Sequence, residues 1–136
     1  ALAVPRDISR LDVYCRAREL VPVVYAIADA LGPLEVHGIA PQLRRAVVSI
    51  SSNIAEGANR GSPRDYHRFL GIALGSASEV LSLLEVVREN ALAPHATLEH
   101  GQRASSVVIH GLRKLRSAVD RWPAPRPANK RARHSR

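Results

Sequence analysis

Apolar side chains recur at intervals of three and four residues through four long segments of this 136-residue chain, and glycine or proline separates each segment from the next. This spacing places the apolar residues on one side of an α-helix. No run of alternating apolar and polar residues is bounded by hairpin turns, so no strand is predicted. The pattern favours an all-α fold, an antiparallel up-down four-helix bundle.

The predicted helices cover residues 9–31, 39–59, 63–90 and 94–121. The clearest boundary follows the second helix, where Gly61 suits a left-handed turn, Ser62 an N-cap and Pro63 the first helical position. Pro22 lies inside the first helix and is expected to kink it without ending it, because the apolar spacing continues beyond it.

The first segment carries two apolar stripes. One contains Leu11, Tyr14, Val21, Val24, Tyr25, Ala28 and Leu31, and the other contains Val13, Ala17, Leu20, Val23 and Ile27. A bundle helix needs only one such stripe. Either the core is wide, or another subunit covers the second stripe. In the third segment, Gly71 and Gly75 suggest that another helix crosses closely there.

Positive charge is concentrated near the end of the chain. The net charge is +8, of which residues 123–136 carry +5 and residues 1–122 carry +3. The last 14 residues have no apolar period, so we predict a bundle domain over 1–122 and a disordered basic tail over 123–136. Such a tail attracts polyanions, with Lys130, Arg131 and Arg133 as candidate contacts. The alternative is that it serves solubility alone.

Five arginines of the predicted bundle are further candidates for binding nucleic acid: Arg44, Arg45, Arg60, Arg64 and Arg68. The planar guanidinium group matches phosphate because it donates two parallel hydrogen bonds. Salt bridges between helices or subunits would explain the same residues equally well. A third alternative divides Arg44 and Arg45, with one pointing outward and the other lying in an interface.

Candidates for catalysis or metal binding are scarce. Cys15 is the single cysteine, and no two of the six histidines are three or four residues apart on one predicted helix. No Glu-x-x-His pair, phosphate-binding loop or nucleophile elbow is present. We therefore predict no catalytic residue, no metal and no cofactor. Asn53 and Glu56 lie on one side of the second helix, where a structural role is favoured over a catalytic one.

The first ten residues lack the pattern of a signal peptide, and no stretch approaches the roughly 20 apolar residues of a membrane span. We expect a cytoplasmic protein with no membrane partner.

Several motifs resemble a known family. They are Leu11-Asp12-Val13-Tyr14, Gln42-Leu43-Arg44-Arg45, Asn53-Ile54-Ala55-Glu56-Gly57, Arg60-Gly61-Ser62 and Arg68-Phe69-Leu70-Gly71. Together they resemble the bacterial four-helix-bundle proteins associated with intervening sequences of the 23S ribosomal RNA gene, over about residues 9–92. The most specific positions are Asn53, Glu56, Gly57 and Ser62. One departure is Asn90-Ala91-Leu92, where the family usually has Leu-Gly-Tyr.

The resemblance implies fold and assembly more than mechanism. Family members are four-helix bundles that form ring-like homopentamers, and their relatives include accessory proteins of diversity-generating retroelements. The leading hypothesis is a non-catalytic homo-oligomer that binds RNA or DNA phosphates through its arginines and tail. The alternative is a protein-interaction adaptor, such as an accessory subunit of a reverse transcriptase.

Overall fold

The computed structural model describes residues 11–122, and these residues form four long α-helices. The helices are α1 (Asp12–Ala30), α2 (Ile39–Asn59), α3 (Pro63–Glu89) and α4 (His95–Asp120), with a 3-10 turn at Pro33–Glu35 between α1 and α2. Each helix packs against the next one in sequence, and α4 packs back against α1. Within the described residues there is no strand, so the predicted all-α four-helix bundle is confirmed.

The core is aliphatic along most of its length. Its largest fully buried side chains are Leu20, Val24, Ile27, Leu43, Val47, Ile50, Ile54, Leu70, Val80, Leu84, Leu98 and Leu112. All four helices contribute to this set, each with the three- and four-residue spacing that the sequence shows. The two aromatic rings of the core, Tyr66 and Phe69, both lie near the start of α3.

The orientation of α1 differs from the main stripe proposed from sequence. The buried residues include Val13, Ala17 and Leu20 of the second stripe, whereas Tyr25 of the first stripe remains 36% exposed. The core face of α1 lies between the two stripes because α1 contacts α2 on one side and α4 on the other. The helix continues unbroken through Pro22, which is exposed.

The core face of α4 differs in part from its apolar spacing. That spacing predicts Val107 in the core together with Leu98, Val108 and Leu112, but Val107 is 46% exposed, whereas Gly101 and Ser105 are buried. A Cβ atom on Gly101 would lie 2.9 Å from Cδ1 of Ile27, so this glycine allows α1 to approach α4 closely. Ser105 tolerates burial because its hydroxyl donates a 2.8 Å hydrogen bond to the Gly101 carbonyl.

By length and composition alone, α3 could cross a membrane, contrary to the sequence expectation. Only 33% of its most apolar window is buried within the protomer. A core helix of a bundle passes the same test, and α3 packs against both α2 and α4. Its length and composition therefore do not assign it to a membrane, but they show an unusually apolar helix.

Both ends of α3 use left-handed backbone. Gly61, with φ of 76°, turns the chain into α3, and the Ser62 side chain accepts a 3.1 Å hydrogen bond from the Asp65 backbone N–H, as predicted for an N-cap. After α3, Ala91 has φ of 51°, while the Leu92 N–H donates to the Val87 carbonyl at 3.0 Å. A left-handed conformation is unfavourable for a residue with a Cβ atom.

We expect Ala91→Gly to raise the free energy of unfolding by about 1 kcal/mol, because glycine adopts this conformation without steric strain. Chemical denaturation measures the change. Ala96→Gly, in the first turn of α4, is the matched control and should lower stability by up to about 1 kcal/mol. Equal losses for both variants would contradict strain at Ala91.

Candidate nucleic-acid interface

The corner between α2 and α3 depends on close contact at Gly57. A Cβ atom there would lie 2.8 Å from the Phe69 Cβ and 3.3 Å from the Tyr66 carbonyl oxygen. Any larger residue would therefore collide with two parts of α3, the backbone of Tyr66 and the Cβ atom of Phe69. Gly57 is buried, and its lack of a side chain lets the end of α2 lie directly against the start of α3.

Two arginines share one aromatic ring at this corner. The guanidinium carbons of Arg60 and Arg68 lie 5.1 Å and 4.6 Å from the centroid of Phe69. Arg60 also forms a 2.9 Å ion pair with Glu56, one turn earlier in α2. Arg64 is exposed between them, and within residues 11–122 it has no ion-pair partner. The three arginines therefore occupy one corner of the bundle.

The end of α4 lies beside the same corner. His67 of α3 is 3.1 Å from the carboxylate of Asp120, and the Arg116 guanidinium lies over Gly71. A Cβ on Gly71 would be 3.1 Å from Nη2 of Arg116, and one on Gly75 would meet nothing within 4 Å. The predicted close helix crossing at these two glycines is therefore wrong, because only the end of an arginine side chain of α4 approaches Gly71. In the described structure, the buried Nε of Arg116 has no hydrogen-bond partner.

Charge is unevenly divided along the bundle. We call residues 55–71 and 112–122 the basic end. It holds seven basic and three acidic residues, a net charge of +4. The other described residues, 11–54 and 72–111, hold six basic and eight acidic residues, a net charge of −2. The basic side chains of the basic end are Arg60, Arg64, Arg68, Arg113, Lys114, Arg116 and Arg121.

Arg44 and Arg45 lie away from the basic end. Arg44 lies 16 positions before Arg60, the residue that caps α2, a distance of about 24 Å along the helix. Arg44 is paired with Asp29 of α1 and lies 5.8 Å from the centroid of the Tyr25 ring. Arg45 is exposed in a groove that Glu79 also lines. The five predicted arginines thus form two groups.

The basic residues at the end of α4 were not among the predicted binding residues, because they do not belong to a family motif. Their spacing on α4 alone does not show that Arg116 lies over Gly71 of α3. The predicted tail contacts Lys130, Arg131 and Arg133 lie outside the described residues. The tail sequence begins one residue after Trp122, which belongs to the basic end.

Asn53 links α2 to α3 through two serines. Its side-chain amide donates to the Ser49 carbonyl at 2.8 Å and to the Ser49 hydroxyl at 2.9 Å. That hydroxyl lies 2.9 Å from the hydroxyl of Ser76 on α3. Asn53 and Glu56 thus contact other residues of the bundle, and their structural role stays a prediction. Within residues 11–122, no cluster of His, Cys, Asp and Glu side chains is arranged to hold a metal ion.

Tyr66 places a hydroxyl in the core beside Gly57. The residue is buried, and within the described structure its Oη has no hydrogen-bond partner. Burial raises the pKa of Tyr66 above its ordinary value of 10.0, because the charged tyrosinate would lose its solvation. The ring packs at the corner between α2 and α3. The buried hydroxyl loses its hydrogen bonds to water, and no hydrogen bond within the described structure compensates for that loss.

Residues 9–112 match the profile of the family described as 23S rRNA-intervening sequence protein. Among solved structures, a protein of unknown function from the S23 ribosomal protein family of Bacteroides thetaiotaomicron VPI-5482 is 22% identical, with a TM-score of 0.69. The alignment covers 79% of this chain and 97% of that protein, which supports the shared fold. No functionally curated protein matches this sequence significantly.

Gly57→Ala should lower the free energy of unfolding by about 2 kcal/mol, because the new methyl group overpacks the α2–α3 crossing. Gly71→Ala is the matched control. Its methyl group meets only the flexible end of Arg116, so stability should stay the same or rise by up to about 1 kcal/mol. Chemical denaturation decides, and equal effects would contradict the special role of Gly57.

Tyr66→Phe should raise the free energy of unfolding by about 1 kcal/mol near neutral pH, because it removes an unpartnered buried hydroxyl. Because the pKa of Tyr66 is raised in the folded state, its titration leaves stability unchanged below pH 10.0 and lowers it as the pH rises from there through the folded-state pKa. The variant should therefore lose less stability above pH 10.0 than the original chain. Tyr25→Phe, at an exposed ring, should change neither property; a lower stability of Tyr66→Phe at neutral pH would contradict the account.

Proposed function

This chain belongs to the 23S rRNA-intervening sequence protein family, and we propose that it is a non-catalytic, homo-oligomeric protein whose basic end binds the phosphates of RNA or DNA. The proposal places it in the cytoplasm. It rests first on the concentration of positive charge at one end of the bundle. A local excess of +4 beside a region of −2 orients a polyanion toward that end.

Arg64 supports a phosphate ligand more directly than the other arginines do. It lies in the first turn of α3, where the helix dipole favours negative charge and disfavours a cation. Within the described residues it has no ion-pair partner. A phosphate bound at this corner would receive two hydrogen bonds from the guanidinium and would lie favourably toward the start of the helix.

Recognition of specific bases has little support at this corner. Of the three aromatic rings at the basic end, Tyr66 and Phe69 are buried and unable to stack on bases, and Trp122 is half-buried. Binding would therefore depend on backbone phosphates, with affinity that falls steeply as salt rises. The tail sequence adds five basic residues next to the basic end. In a homo-oligomer, several basic ends would act together, which raises avidity.

The test is salt-dependent binding of a labelled structured RNA and a labelled duplex DNA. We compare the full chain, a chain ending at Trp122, and the full chain with Arg64→Gln, Arg113→Gln and Lys114→Gln. The triple variant should bind more weakly, with a duplex slope of log affinity against log salt that is less steep by about 2.7, or 0.9 for each lost phosphate contact. The truncated chain should bind with a shallower slope but keep the dependence on the basic end.

The matched control combines Arg45→Gln, Arg88→Gln and Arg103→Gln, which removes the same charge from the rest of the bundle. Equal losses for the two triple variants would show that net charge alone matters and would contradict a localised site. Binding by the full chain but not by the truncated one would assign the contact to the tail. If no form binds at low salt, the nucleic-acid proposal is wrong, and a protein partner becomes the better explanation.

A further inference from the structure

The outward face of α3 carries an apolar stripe that the protomer does not cover. Ile72 is 41% exposed, Val86 is 38% exposed, and Leu83 is half-buried. Ile72 and Val86 are 14 residues apart, which is about 21 Å along one side of the helix. This stripe explains why α3 is so apolar while only 33% of its most apolar window is buried.

Gly75 opens a notch in this stripe, one turn before Glu79. A Cβ atom placed on it would meet nothing within 4 Å. A glycine inside a helix costs up to about 1 kcal/mol relative to alanine. No contact within the described chain explains that cost, in contrast to Gly57 and Gly71, which face other helices. An exposed notch of this kind admits a side chain from a second molecule.

α1 also presents an apolar stripe, but its side chains are large where the α3 stripe has a notch. Tyr14, Val21 and Tyr25 recur along its outward side next to α2 and are only partly buried. They span 11 residues, about 17 Å. These are the residues of the first stripe that the bundle leaves outside the core. The rings of Tyr14 and Tyr25 make the α1 stripe bulky, whereas the α3 stripe has the small residues Gly75 and Ser76 beside its notch.

Each stripe contains one exposed charge, and the two charges have opposite signs. Arg18 lies between Tyr14 and Val21 on α1, with its guanidinium 5.7 Å from the Tyr14 ring centroid. Glu79 lies seven residues from both Ile72 and Val86 on α3. Within residues 11–122, neither charge has an ion-pair partner. Each stripe therefore has one charged residue with apolar residues on both sides of it, and the two charges would attract each other if the stripes faced one another.

We propose that the α1 stripe of one copy packs on the α3 stripe of a second copy, with Arg18 facing Glu79 and a bulky side chain entering the notch at Gly75. This inference rests on the homo-oligomer of the proposed function and specifies its interface. Because the two surfaces differ, the contact is heterologous and is repeated from copy to copy. A lipid surface fits poorly, since Glu79 lies at the centre of the stripe.

The test is a charge swap, read as the oligomer dissociation constant by analytical ultracentrifugation. Arg18→Glu and Glu79→Arg should each weaken assembly about tenfold or more, because like charges then face each other. The double variant Arg18→Glu/Glu79→Arg should recover the affinity of the original chain. Both positions are exposed, so circular dichroism should show unchanged helix content. Glu99→Arg on α4, with the same change in charge, should leave assembly unaltered.

Mixing the two single variants provides a second readout. Each variant repels itself, but the unchanged Arg18 of one matches the unchanged Glu79 of the other, and the two reversed charges also match. An equimolar mixture should therefore assemble where each variant alone does not. Weakened single variants without recovery in the double variant or the mixture would overturn the pairing.

An oligomeric original chain whose single variants assemble normally would overturn this interface while leaving the proposed function intact. A monomeric original chain would overturn both the interface and the homo-oligomer. Binding at the basic end is measured separately, on the variant of Arg64, Arg113 and Lys114, none of which belongs to either stripe, so a failure of nucleic-acid binding is distinguishable from a failure of this interface.

Discussion

The close crossing of α2 and α3 at Gly57 is the contact on which the basic end depends. Because no side chain separates the two helices there, Phe69 is buried against α2, and its ring lies within reach of Arg60 and Arg68. The turn at Gly61 and the Ser62 cap then start α3 immediately after the crossing. A wider separation would remove the shared ring and disperse the arginines.

Helical periodicity predicted the elements of the bundle well because it is a local property of each segment. The bounds of α2 follow from the sequence, and the Gly61–Pro63 turn forms as its residue types require. The face of α1 was harder, since two stripes about equally apolar leave its rotation to be set by contacts with α2 and α4. Val107 shows the converse: an apolar side chain at helical spacing that no neighbour covers.

The candidate site was only partly predictable for a related reason. Sequence motifs identified Arg60, Arg64 and Arg68, which are close along the chain. They also suggested Arg44, which is on the same helix but about 24 Å from Arg60 and is held by Asp29. Arg116 joins the basic end because α4 packs against α3 and places its guanidinium over Gly71, and no local pattern reports such long-range proximity. Charge segregation therefore becomes visible only after folding.

The central claim is that nucleic acid meets the basic end of the bundle, and hydrogen–deuterium exchange of the full chain with and without duplex DNA tests it most directly. At low salt, the account predicts slower amide exchange in residues 55–71 and 112–122, with little change around Arg44 and Arg45, and loss of that protection as salt rises. Protection confined to residues 123–136, or centred on the start of α2, would contradict it.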